Sequence, residues 1–318
     1  MNLSCRAAEG VIGGFGTVDT KNFKKRRVLQ LQPCRRCGRC SKTMKYCAGV
    51  SAEERARFEP VFARLVEIAN KEIEPRFLAG IRVMQKKDHT PVTEADKNAE
   101  QQMRLWLEEH FPEHGIFGEE FGIREASGDF PRYRWILDPV DGTRSFILNG
   151  FQFGTLIALE RDDGEGFRPA MGVISHASVG AWLIGDGEKT VLHHAGTTHE
   201  VRVKDTAELS EAVLLTTSHW TTPEQKGDER MQRLIDQVKM YRTFGDCFGY
   251  FSVATGGADV MIDPDLNYWD VAALVPVVEG AGGVLTATSG GNPLKELSAV
   301  ACNPTLHAKV LKVLNEKM

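Results

Sequence analysis

The run Trp135-Ile-Leu-Asp138-Pro-Val-Asp141-Gly-Thr143-Arg144-Ser-Phe146 restricts this chain more than any other stretch. Its apolar start reads as a buried strand ending at Leu137, with Asp138 and Asp141 following at the carboxyl end, where open α/β sheets place their ligands. Pro139 stiffens the bend and Gly142 lets backbone approach a ligand. Thr143 can then open a helix whose free N–H groups face an anion. Two carboxylates beside an anion-binding turn call for a cation between them, and oxygen ligands of this kind suit Mg2+. Taken alone, D-P-x-D-G-T fits a charged turn after a core strand equally well.

The rest of the chain decides whether that stretch has partners. Ser51-Ala-Glu-Glu54 is a capping box, and Phe58, Val61, Phe62, Leu65 and Ile68 follow at helical spacing. A second helix carries Ala99, Met103, Trp106 and Leu107 on one face, which puts Asp96 in its first turn with Thr93 as cap. Gly115-Ile-Phe-Gly118 reads as a short strand ending at Glu119-Glu120, so these carboxylates can converge with Asp138. Strands are expected at 153–160, 170–175 and 180–184, an antiparallel run. The pattern then turns to α/β: strand 212–217, helix 224–239, helix 247–255, strand 260–262, a helix from Asp270 to about Gly280, strand 283–285, a strand near Ala299 and a helix from Pro304. Asp270 is expected to be the N-cap of its helix.

Residues 1–50 differ from this body. They hold 11 Lys and Arg against Glu9 and Asp19, a local charge of +9. With a total of −4, the other 268 residues carry −13. An acidic body disfavours nucleic acid as the main ligand, so an anionic substrate must be drawn in by local cations. The leader shows little hydrophobic periodicity and is expected to be disordered and dispensable, so that a chain starting near Ala48 should fold. Cys34, Cys37, Cys40 and Cys47 are close enough to hold zinc, although the usual second pair lies farther along a chain. Scarce acidic residues also fit an organellar transit peptide, and a start assigned too far upstream fits equally well. Three divisions are therefore expected: the leader 1–50, an α+β half at 51–195 and an α/β half at 196–318. No apolar run reaches the roughly 20 residues that cross a bilayer, so no membrane partner is expected.

Other chemistries do not assemble. Seven of the nine histidines are single, and His193-His194 reads as part of a turn, without H-E-x-x-H spacing. There is no G-x-S-x-G elbow and no G-x-x-x-x-G-K-[ST] loop.

Four elements in order, Thr90-Pro-Val-Thr-x-x-Asp96, Gly118-Glu-Glu120, Trp135-x-x-Asp138-Pro-x-Asp141-Gly-Thr143 and Trp269-Asp270-x-Ala-Ala273 ahead of Glu279-Gly-Ala-Gly-Gly283, resemble the inositol monophosphatase superfamily of Mg2+-dependent, lithium-sensitive phosphatases. The likeness spans about residues 55–318. Asp141-Gly-Thr-Arg144-Ser-Phe, Gly245-Asp246-Cys247-Phe-Gly-Tyr250 and Ala272-Ala-Leu-Val-Pro-Val-Val-Glu279 look most like its histidinol-phosphatase branch. The chain departs from that branch at Asp263, where Glu is usual, and at Asn267, often Lys, so substrate choice follows less directly than reaction type.

The resemblance implies a layered αβαβα sandwich, a homodimer, and two to three Mg2+ ions per site. Glu119, Asp138 and the Val140 carbonyl would hold the first ion; Asp138, Asp141 and Asp270 would hold the second; Glu119 would hold a weaker third. Thr143, hydrogen-bonded toward Asp96, would orient the attacking water. Gly142 and Thr143 N–H groups and Arg144 would hold the phosphate, with Asp246 and Asp263 facing the rest of a small phosphorylated substrate. Three functions follow from this: a histidinol-phosphate phosphatase of histidine biosynthesis, a broader inositol, sugar or nucleotide phosphatase, or a non-enzymatic interaction protein on the same fold. The expected compartment is the cytoplasm, or a plastid if the leader directs import.

Overall fold

The computed structural model describes residues 45–80, 83–85, 91–218 and 229–316. Helix α1 (Ala52–Ile73) opens on the Ser51/Glu54 capping box. β1 (Val83–Gln85) pairs antiparallel with β2 (Pro91–Thr93), and helix α2 (Glu94–His110) starts from a second box, Thr93 with Asp96. β3 (Gly115–Gly118), β4 (Gly122–Arg124) and β5 (Arg132–Asp141) lead to the short helix α3 (Thr143–Ile147). β6 (Gly154–Asp162), β7 (Arg168–His176), β8 (Ala181–Gly185), β9 (Thr190–His194) and β10 (Thr197–Glu200) then complete an eight-stranded sheet. Its order is β10-β9-β8-β7-β6-β5-β3-β4, antiparallel except where β3 meets β5.

The second half supplies β11 (Val213–Leu215), α4 (Glu229–Ile235), β12 (Met240–Arg242), α5 (Asp246–Ala254), β13 (Val260–Asp263) and α6 (Tyr268–Gly280). β14 (Val284–Thr286), α7 (Pro293–Glu296), β15 (Ala299–Cys302) and α8 (Pro304–Asn315) follow. The five-stranded sheet runs β12-β11-β13-β15-β14, parallel at β12-β11-β13 and antiparallel beyond.

Strand alternation sorts these elements into layers. Trp135, Leu137, Ile157 and Val173 face α1 and α2 in one core. Ile136, Leu156, Ala158 and Ile174, on the opposite face, pack on α5 and α6, which also receive Met261, Leu285 and Ala301 from the smaller sheet. The far face of that sheet, with Val260, Ile262 and Val300, is covered by α4 and α8. The order is therefore αβαβα, as the resemblance implied. Helix α6 lies between two sheets and every residue from Asp270 to Gly280 is buried, so it is apolar around its whole circumference instead of along one stripe. Among the described residues, no helix is long and apolar enough to cross a membrane.

Several expectations are corrected. β5 does not stop at Leu137 but continues to Asp141, with a register shift against β6 between Asp138 and Asp141. His193 and His194 lie in β9, not in a turn. The β9–β10 hairpin carries the first sheet to Glu200, past the division expected at 195. Asp270 is the third residue of α6, whose cap is Asn267. The helix expected over 224–239 is observed as α4 from Glu229 to Ile235, and residues 219–228 lie outside the described residues.

The leader expectation also changes at its end. Tyr46 and Cys47 N–H groups donate to the Glu279 carboxylate at 2.7 and 3.3 Å, and the Ala48 N–H donates to Pro169 O at 2.7 Å. A chain starting at Ala48 would strip both donors from the buried Glu279, leaving a carboxylate whose loss of partners is costly. Burial pushes the Cys47 thiol up to about 12, and its Sγ lies 3.4 Å from the Ala170 and Asp186 carbonyls. The thiol donates to these carbonyls, and burial favours its protonated form. Cys34, Cys37 and Cys40 lie outside the described residues.

Under α1, the Trp135 indole N–H donates to Nδ1 of His114 at 3.1 Å, in a cluster with Phe58 and Phe62. His114 is 2% exposed, and burial, opposed by Glu113, drives its pKa to about 4. Nδ1 must stay unprotonated to accept from Trp135. The unfolded chain takes up a proton at the ordinary value near 6.5, whereas the folded ring does not until about 4. Stability tied to this ring is thus complete above about 6.5 and is lost as pH falls toward 4, roughly 2 kcal/mol of it between pH 7 and pH 5. His114→Gln should flatten the acid limb by that amount in denaturant titrations at the two pH values. Parallel limbs for variant and wild type would show that this ring does not set the acid sensitivity.

Candidate active site

The end of β5 and the start of α6 meet where the sequence placed the carboxylates. Asp138, Asp141 and Asp270 each offer one oxygen, and the three oxygens lie within 4.8 Å of one another. The irregular β5–β6 pairing lets both Asp138 and Asp141 reach this point, which strict alternation would not prevent for one but would for the other, since they are three residues apart. Asp270 is held from below by the Asn267 N–H, which donates to its Oδ2 at 2.7 Å. Glu119 follows β3, and its own N–H donates to Leu137 O at 3.1 Å, tying it beside Asp138.

The electrostatics are those of a crowded, dry cluster. Burial, then Glu119, Asp141 and Asp270, push the Asp138 carboxyl well above the usual range. Burial, Asp246 and Asp270 do the same to Asp141. Asp270 is raised to about 7, by burial first, with the Asn267 N–H opposing. Asp138 is 2% exposed and its Oδ1 has no hydrogen-bond partner among the described residues. An orphaned buried oxygen among like charges is expensive unless something positive completes it. The donors are all oxygen, so the group that fits is a hard divalent cation such as Mg2+.

Beside the cluster is the turn Val140–Arg144. Gly142 has φ +75°, and a Cβ there would lie 2.7 Å from Asp246 Oδ2, so glycine is required both by conformation and by proximity. Thr143 Oγ1 lies 3.0 Å from Val140 O and 3.3 Å from Asp96 Oδ1. The Asp96 carboxyl, raised by burial, has its second oxygen bound by Thr93 N–H at 2.8 Å and the Thr93 hydroxyl at 2.5 Å. Arg144 is exposed, and its charge favours the ionised form of Asp246 against burial. Ser145, which the sequence reading passed over, donates from Oγ to Asp246 Oδ2 at 2.9 Å.

Asp246 therefore belongs to this turn, whereas the Asp263 carboxylate is bound on both oxygens by other segments. Its Oδ1 accepts the Thr217 N–H at 3.1 Å and its Oδ2 the Tyr250 hydroxyl at 3.0 Å. Both oxygens are spent on holding other segments, in contrast to the orphaned Asp138 oxygen, and burial pushes this carboxyl to about 7. Two further anchors were missed. The Cys247 N–H donates to Asp141 Oδ2, joining α5 to β5. Glu160, fully buried, receives two bonds from Arg134 at 2.8 and 2.6 Å and one from the Tyr268 hydroxyl, which pins the first turn of α6. Both depend on partners far apart in sequence, and no local pattern signals them.

The sequence model of the inositol monophosphatase family matches residues 55–318. A histidinol-phosphatase from Mycobacterium tuberculosis is 38% identical over 239 residues, 74% of this chain and 88% of that protein. One from Streptomyces coelicolor is 33% identical over 256 residues, 80% of this chain and 95% of that protein. Among solved structures, an inositol monophosphatase from Zymomonas mobilis superposes with a TM-score of 0.70 at 33% identity, covering 83% of this chain and 99% of its own. With its layered fold, its ordered motifs and a match over the whole body, the chain belongs to the inositol monophosphatase family.

Proposed function

We propose that this protein is a divalent-metal-dependent phosphate monoester hydrolase acting on histidinol phosphate, to give histidinol and inorganic phosphate. The observation that carries the reading is the convergence of Asp138, Asp141 and Asp270 oxygens within 4.8 Å around an orphaned buried oxygen. Glu119, Asp138 and the Val140 carbonyl, with Asp141 and Asp270 on the other side, would hold Mg2+, which when bound supplies Lewis acidity and lowers the pKa of water. Thr143 Oγ1, 3.0 Å from Val140 O and 3.3 Å from Asp96 Oδ1, would orient the attacking water through a lone pair that accepts one of the water hydrogens. Backbone N–H groups of Gly142 and Thr143 hold phosphate oxygens, and Arg144 adds a cation beside them. Asp246 pairs with the ammonium that distinguishes histidinol from a neutral alcohol. The histidinol-phosphatase names of relatives at 33% and 38% identity support this choice of ester.

The assembly proposed is a homodimer, on the family resemblance. The compartment proposed is the cytoplasm, or a plastid if residues 1–50 direct import; Cys47, Cys247 and Cys302, unpaired among the described residues, support a reducing setting. A second reading, an inositol monophosphatase, is favoured by the Zymomonas mobilis neighbour. Comparing kcat/KM for histidinol phosphate, inositol 1-phosphate and glycerol phosphate separates them. Histidinol phosphate should lead by about tenfold or more, some 1.4 kcal/mol. A preference for inositol 1-phosphate would select the second reading, and no phosphate release from any ester would remove both.

A further inference from the structure

We propose that Glu100 is a positioning residue for the metal centre: its carboxylate clamps the turn that carries Glu119 and so sets where that ligand sits. The inference rests on the reading of Glu119 as a metal ligand.

Glu100 lies one helical turn after Asp96 on the same face of α2, and it is fully buried. Its Oε2 accepts the Glu120 N–H at 2.7 Å, and its Oε1 accepts the Phe121 N–H at 3.1 Å and Arg104 Nε at 2.7 Å. The far end of Arg104 donates to Gly122 O. Together with the Glu119 N–H on Leu137 O, this fixes the backbone at each residue from 119 to 122. One side of the turn is thereby stapled to the strand bearing Asp138 and Asp141, the other to the helix bearing Asp96. Gly118 shows how closely the clamp fits, since a Cβ at that position would run into the Glu100 carboxylate.

Burying a carboxylate is costly, and here three donors offset the cost. An apolar side chain would fill the same space but could not hold two consecutive N–H groups. Residues that orient metal ligands in this way usually change metal affinity by 10- to 100-fold when replaced. Glu100→Gln keeps the volume but presents an amide NH2 to one of the two N–H donors, so the turn loosens without a cavity.

The test is Mn2+ binding to the full-length protein by calorimetry, with melting temperature measured in EDTA and kinetics at saturating Mg2+. The expected result for Glu100→Gln is a Kd raised about 10- to 100-fold at unchanged stoichiometry, with substrate KM at saturating Mg2+ within about threefold of wild type. An unchanged Kd, or fewer sites of unchanged Kd in step with a lower melting temperature, would overturn the proposal and leave Glu100 as part of the scaffold. If Glu100→Gln does not fold, Gly118→Ala supplies the same measurement, because its methyl displaces the clamp while Glu100 remains; an unchanged Kd there overturns the proposal equally. A wild type that binds no Mn2+ would instead defeat the metal-dependent reading itself.

Discussion

Asp138→Asn should yield a folded protein whose phosphate release is below about a tenth of wild type, a deficit greater than ~1.4 kcal/mol in the barrier. Asparagine has the shape of aspartate, so no cavity opens in a residue that is almost wholly enclosed. What is lost is the negative charge at the position proposed to be shared between two ions. In EDTA the variant should melt no lower than wild type, because one of several mutually repelling buried carboxylates has gone. Adding Mg2+ should raise the melting temperature of wild type, because a ligand bound only by the folded state stabilises it, and should leave the variant nearly unmoved. Retention of more than about a tenth of the activity would show that Asp138 is not a shared ligand.

The second large effect concerns the substrate. Asp246→Ala should lower kcat/KM for histidinol phosphate by roughly 30-fold or more, since a charged partner left unpaired in a desolvated site typically costs 2–5 kcal/mol. Glycerol phosphate, which has no ammonium, should change by only a few-fold. The backbone complicates the alanine variant: Asp246 sits at φ +51°, where alanine is strained. Asp246→Asn tolerates that conformation and can still accept the Ser145 hydroxyl, so it isolates the charge. Both variants should lose discrimination between the two esters. If Asp246 serves only to hold Ser145 and the start of α5, stability falls by about 1 kcal/mol and the ratio of the two kcat/KM values stays as in wild type.

Much of this arrangement was legible in the sequence because it is locally encoded. The boxes at Ser51 and Thr93 mark their helices, and the apolar run before Asp138 marks the central strand, since in each case the deciding contacts lie within a few residues. The expectation of Asp270 as the cap places the helix start three residues late, because Asn267-x-x-Asp270 is itself a capping box. The hairpins β3–β4 and β9–β10 escaped because they are short edge pairings with little apolar alternation, and their strand state comes from the neighbouring strands. Asp263 shows the limit most clearly. It ends a strand just before Asp270, as a ligand would, yet Thr217 and Tyr250 occupy both of its oxygens, and nothing within its own segment announces those partners. Glu100, by contrast, was within reach, four residues after Asp96 on the same helical face.

The metal centre itself is tested most directly by anomalous diffraction at the manganese edge from crystals soaked in Mn2+. The expected map has peaks about 2–2.6 Å from carboxylate oxygens of Glu119, Asp138, Asp141 and Asp270, with Asp138 touching two peaks about 3.5–4 Å apart. The same soak of Asp138→Asn crystals should lose at least one of them. A wild-type map with no peak in contact with Asp138 would contradict a metal-dependent hydrolase built on this site.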